Sequence, residues 1–215
     1  MTRARQLLMN CSEAFDRSRS CRFIKDASSG QLDSQVWQSY IAHELRFVCT
    51  VQGLMGELIV AAPRHRIEDW RGIIADLRDV QLPYLAGLLN LSAKEVSGLK
   101  SDDILSGHVT KIVGAGGYPA FASSMFAAEN LYQQWCYTAW KQHRTTRFPA
   151  LHDWIGMHVN SDFHRSVSFW NESVNEIDDR IQDRRLETWC NGMLEAESDF
   201  HDSAYGPGSS RSWMR

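Results

Sequence analysis

The sequence has no excess of basic residues, no paired-cysteine motif, no long apolar run and little period-two alternation, and each shortage removes a class of structure or function. Lys and Arg number 23 against 26 Asp and Glu, so nothing in the net charge draws the chain toward nucleic acid or an anionic membrane. The five cysteines, Cys11, Cys21, Cys49, Cys136 and Cys190, are odd in number and contain no C-x-x-C pair. That speaks against a disulfide framework or a zinc ribbon and fits reduced thiols in the cytoplasm. No stretch approaches the roughly 18 apolar residues of a membrane span, and the start, MTRARQLLMNCSEAFD, lacks the apolar centre of a secretory signal. P-loop, Rossmann and H-E-x-x-H patterns are missing. GAGGYP, Gly114 to Pro119, follows a helical pattern rather than a strand, so it is not expected to cradle phosphate. The expectation is a soluble, cytoplasmic protein with no cofactor, no nucleic acid and no membrane, whose partners are small molecules or protein subunits.

What is present is helical spacing over nearly the whole chain, enough for an all-α fold. A length of 215 residues suits one domain, expected over 1–205, with GPGSSRSWMR, 206–215, as a flexible tail. The spacing predicts a long helix from Ser34 to Ala62, stopped by Pro63. A second group runs over Ile67 to Leu91, interrupted near Pro83, and SAKE, Ser92 to Glu95, has the form of a capping box. A helix from beyond Ser101 is expected to end before GAGG, and the next to run from Pro119 to His143. Helices over Phe148–Val159, Asp162–Ile181 and Arg184–Tyr205 complete the set.

Three of these helices carry one acid each in an otherwise apolar stripe. Glu44 interrupts Trp37, Tyr40, Ile41, Val48, Val51 and Met55. Glu129 interrupts Ala122, Met125, Tyr132, Cys136 and Ala139, and Glu197 interrupts Leu186, Trp189, Cys190, Met193 and Phe200. Steps of three and four hold each set on one face, so each acid points where its apolar neighbours point. An ionised carboxylate buried alone is costly, and proteins pair it, hydrate it or keep it protonated. A salt bridge to an Arg explains any single case. Three acids on three helices, with no basic residues in the same stripes, favour a shared polar pocket suited to proton transfer or to a ligand rich in N–H donors. His158 shares a stripe with Trp154 and Ile155 and reads as a hydrogen-bonded core residue. Cys136 reads as packing, and the trio His152, His158 and His164 has no metal-binding spacing.

SYIAHELRFV (Ser39 to Val48), AGLLNLS (Ala86 to Ser92), MFAAENLYQQW, FPALHDWIGMHVNSDFHRSV (Phe148 to Val167) and EAESDFHDSAYG (Glu195 to Gly206) together resemble, in order and spacing, segments of the TenA family. This is the thiaminase II group, with a heme-oxygenase-like helical fold. The resemblance implies a helical bundle of that type, a homodimer or homotetramer, and cleavage of a C–N bond at the methylene carbon of an aminopyrimidine, a thiamine breakdown product, without a cofactor. By position it implies that Glu44 holds the heterocycle and that Glu197 and Glu129 share the acid and base roles. Phe47, Leu105, Tyr132, His158 and Phe200 line the substrate pocket in the same reading. Ala128 stands where cysteine-type members carry their nucleophile, so the resemblance is to the glutamate type. Phe47, Leu105 and His158 stand where tyrosines are common, which changes the hydrogen bonds offered to a ligand.

Two other readings compete. A non-catalytic ligand-binding or regulatory relative keeps the fold without turnover. A heme-oxygenase-like di-iron oxidase needs about six ligands from carboxylates, His and water. Seven residues after Glu44 stands Val51, and Glu197 has His201 but no second His in its stripe, so the iron reading lacks its donors.

Overall fold

The computed structural model describes residues 1–99, 103–142 and 144–206, and every element among them is helical. Three eight-residue helices, α1 (Arg3–Asn10), α2 (Ser12–Arg19) and α3 (Arg22–Ser29), precede the first predicted helix. Gly30, at φ 71°, ends α3 in the left-handed conformation that glycine adopts most readily. The Asp33 carboxylate then caps α4 (Ser34–Leu58) by accepting the Gln35 N–H at 2.7 Å. One 3-10 turn, Ile59–Ala61, carries α4 toward Pro63, close to the predicted stop.

The segment read as interrupted near Pro83 is instead nearly continuous. α5 (Ile67–Asp76) passes through a π-helical turn, Leu77–Gln81, directly into α6 (Leu82–Leu88). Pro83 is tolerated because it falls in the first turn of α6, where a missing N–H costs nothing. The capping box forms as read: Ser92 caps α7 (Ala93–Ser97) and Glu95 returns to the Ser92 N–H at 2.8 Å.

The break expected at GAGG falls at its last glycine: α8, Ile104–Gln142, is two helices joined across a kink at Gly117 (φ 58°, ψ −143°), a conformation essentially restricted to glycine. Gly116 lies so close to α11 that a Cβ there would sit 2.5 Å from the Trp189 ring. One glycine therefore bends the chain and its neighbour admits an indole, while Gly114 and Ala115 remain helical. The start at Ile104 lies beyond Ser101 as expected, while the expected end residue His143 and 207–215 of the expected tail lie outside the described residues.

α9 (Pro149–Met157), α10 (Ser161–Asn175) and α11 (Asp183–Ser203) follow. The spacing carried α10 on to Ile181, but the helix stops at Asn175 because the N-terminus claims its end. The Asn175 side chain accepts the Ala4 N–H at 2.8 Å and Arg3 Nη1 donates to the Ile177 carbonyl at 2.6 Å. α8 and α11 form the centre of the bundle, with α10, α3 and α4 packed on α8 and α2 on α11. The short N-terminal helices brace α11: Ser18 donates to the Leu194 carbonyl at 2.7 Å and Asp202 accepts the Phe23 N–H at 3.2 Å. No helix among the described residues is long and apolar enough to cross a membrane.

Candidate active site

Each acid-bearing stripe turns inward as the spacing requires. Trp37, Tyr40, Ile41, Val48, Val51 and Met55 are buried on α4, Met125, Leu131 and Cys136 on α8, and Leu186, Cys190 and Met193 on α11. Glu44, Glu129 and Glu197 meet at one cleft of about 740 Å³, also lined by Phe47, Tyr132 and His158. That volume is typical of a small-molecule site. Ala128 lies in the same wall, beside Glu129.

Two residues predicted to line the pocket do not. Leu105, in the first turn of α8, is fully buried in the core. Phe200 is buried behind the wall, its ring 6.4 Å from that of Phe47 and 5.6 Å from that of Tyr40. It supports the residue that faces the cleft rather than facing it.

The acids differ in their partners. Trp154 Nε1, from α9, donates to both Glu44 oxygens at 3.2 and 3.0 Å, and Tyr40 also hydrogen-bonds Glu44. Glu197 is wholly buried, with Tyr132 Oη 3.4 Å from its Oε2 and its Oε1 without a partner. Glu129 has an unpartnered, buried Oε2. Among the described residues, no Arg or Lys ion pair reaches any of the three. Burial pushes Glu44 and Glu129 up to about 8, with the Asp76 charge adding to the effect on Glu129. Burial and the Glu44 charge, opposed by the Tyr132 hydrogen bond, hold Glu197 well above the usual carboxylate range. All three are thus mainly protonated at neutral pH.

Both histidines at the site are neutral. His158 Nδ1 lies 2.8 Å from the Trp154 carbonyl and His201 Nδ1 lies 2.7 Å from the Glu197 carbonyl. Burial lowers each ring to about 4. Among the described residues no three His, Cys, Asp or Glu side chains are grouped to hold a metal ion.

Sequence reasoning missed Trp154, Tyr40 and His201 as partners of the acids, having read the first two as stripe packing. A signal was present: Tyr40 and Glu44, and Glu197 and His201, are each four residues apart, the spacing that stacks side chains on one helical face. Asp76 carries no such signal, because it reaches the cleft from the start of the π-helical turn, a feature that often marks functional sites.

No family sequence profile matches the chain, and no curated protein matches it significantly. Solved structures do. A TenA homologue from P. horikoshii superposes with a TM-score of 0.82 at 10% identity, covering 95% of this chain and 99% of that one. A TenA family transcription regulator from a Silicibacter species gives 0.80 at 12% identity, covering 94% and 96%. A candidate TenA-like thiaminase from Sulfolobus solfataricus gives 0.74 at 12% identity, covering 94% of both chains. At such identities the likeness speaks for architecture, and over nearly its whole length the chain has the fold of the TenA structures.

Proposed function

We propose that the protein hydrolyses the C–N bond joining an amine to the methylene carbon of an aminopyrimidine-like heterocycle, as the resemblance to glutamate-type TenA proteins implies. The observation that carries this reading is the convergence of Glu44, Glu129 and Glu197 on one cleft without an Arg or Lys ion pair among the described residues, two of them with unpartnered oxygens.

Glu44 binds. A neutral carboxyl offers one O–H donor and one carbonyl acceptor, which match a ring nitrogen and its adjacent amino N–H. Moving the proton onto the ring nitrogen then creates an ion pair without changing the charge in the cleft. Glu197, held protonated by its burial, gives its proton to the departing amine nitrogen. Glu129, in its ionised fraction, takes a proton from the water whose oxygen attacks the methylene carbon. The C–O bond forms, the C–N bond breaks, and the products are the hydroxymethyl heterocycle and the free amine. Assembly as a homodimer or homotetramer is part of the same proposal, checked by sedimentation.

The test is incubation with aminomethylpyrimidine, its formylated form and thiamine, following alcohol release by chromatography. Wild type is expected to release the alcohol from at least one, with Glu197→Gln and Glu129→Gln each slower by on the order of 10²–10⁴. Turnover unaffected by either substitution sinks the mechanism. Thermal stabilisation by one compound with no release from any favours the second reading, a binder, to which Ala128 at the nucleophile position points.

A further inference from the structure

Behind the cleft wall lies a hydrogen-bond cluster that the proposed reaction does not use. Tyr132 Oη is 2.9 Å from Tyr40 Oη, 3.4 Å from Glu197 Oε2 and 3.4 Å from His201 Nε2. His201 is fully buried, with its ring nearly parallel to that of Tyr40 at 5.6 Å. The Glu197 carbonyl, 2.7 Å from His201 Nδ1, can only accept, so Nδ1 carries the ring proton. In the neutral ring Nε2 is then a bare lone pair, and its neighbour at hydrogen-bond range is the Tyr132 hydroxyl.

With Tyr40 as the donor in its 2.9 Å contact with Tyr132, the one Tyr132 proton has two acceptors at equal distance, Glu197 Oε2 and His201 Nε2. When Glu197 is protonated, the acid donates to the Tyr132 oxygen and Tyr132 donates to His201. When Glu197 has lost its proton, the Tyr132 hydroxyl turns to Glu197 Oε2 and Nε2 is left bare. His201 and ionised Glu197 therefore compete for the same proton.

We propose that His201 is a positioning residue for Glu197: its Nε2 holds the Tyr132 proton while Glu197 keeps its own, and yields it to the Glu197 carboxylate after that acid has discharged. No proton leaves the cluster in this exchange; only the hydroxyl rotates. The catalytic half of the proposal rests on Glu197 being the acid, whereas the tautomer and the hydroxyl's two positions do not. Among the described residues the titratable groups facing the cluster are Tyr40 and Glu44 from α4, Glu129, Tyr132 and Cys136 from α8, the Cys21 thiol at the start of α3, and His158 at the end of α9. None is a permanent cation, so Tyr132 is the donor placed to steady Glu197 as it ionises.

The first test is nitrogen NMR of histidine-labelled protein between pH 5.5 and 9. His201 is expected to show a protonated Nδ1 and an unprotonated Nε2 throughout. A protonated Nε2, or a ring that gains a proton near 6.5, overturns the proposal whether or not any aminopyrimidine is turned over. The second test is the alkaline limb of kcat/KM. Removing Nε2 in His201→Phe frees the Tyr132 proton for the carboxylate, so the limb is expected to move to lower pH. Tyr132→Phe removes the donor and is expected to move it to higher pH. Shifts in the same direction, or none, overturn the proposal. If His201→Phe fails to fold, Tyr132→Phe decides by NMR: the Nε2 resonance must move toward that of a free unprotonated nitrogen, and an unchanged resonance is contrary.

Discussion

The floor and the mouth of the cleft hold the same kind of side chain in opposite electrostatic states. At the mouth Arg66 pairs with Glu172 and Glu176, both at 2.6 Å, and His65 Nε2 lies 3.1 Å from Glu176. The hydrogen bond from Arg66 holds Glu176 below its ordinary range. At the floor, Glu44, Glu129 and Glu197 have no such ion pair among the described residues and are pushed up. The difference lies in the partners and the burial rather than in the residue type. Pairing at the mouth makes inert charge, while its absence at the floor makes exchangeable protons.

The largest effect that separates the two regions is on turnover. Glu197→Gln is expected to lower kcat by on the order of 10²–10⁴ in a product-release assay, with ligand binding measured by calorimetry largely kept. Glu129→Gln comes next, and it should gain stability as it loses activity. A carboxyl with a higher pKa folded than unfolded contributes its full stability below the unfolded value near 4.5 and loses it as pH rises toward the folded value near 8. Wild-type melting temperature should therefore fall from pH 5 to 8. Glu129→Gln should flatten that slope and melt higher than wild type at pH 8; an unchanged slope contradicts the assignment.

A smaller effect concerns Glu44. Gln there keeps one donor and one acceptor, so affinity for the pyrimidine is expected to change by less than about tenfold, whereas Glu44→Leu, which leaves the Trp154 N–H unpaired, should lose more. Equal losses for the two contradict a neutral Glu44. The smallest belongs to the mouth. Arg66→Met is expected to cost about 1 kcal/mol or less by denaturant melts, and less still at high salt, as exposed ion pairs do.

The acids at the floor were legible because a helical stripe is a strong pattern and a carboxylate interrupts it visibly. Partners on the same helix, Tyr40 and His201, were legible in their four-residue spacing, but Trp154 was not: it reaches Glu44 from another helix, and periodicity within one helix says nothing about contacts between helices. Leu105 was misplaced because a positional match without an anchoring motif has no register to hold it. The helices α1 to α3 escaped notice because eight residues give barely two turns in which to read a face. At Gly117 and Gly116 the break was legible as glycine-rich, but the close approach of the Trp189 ring to Gly116 comes from a helix remote in sequence. The end of α10 depends likewise on Arg3, remote in sequence.

The most direct test of the central claim, that the floor acids are held neutral for proton transfer, is carbon NMR of the glutamate side-chain carboxyls as a function of pH, assigned with the three Gln variants. The expected result is that Glu44 and Glu129 titrate near 8 and Glu197 well above the ordinary carboxylate range. All three titrating together near 4.5, with the surface acids, would contradict it.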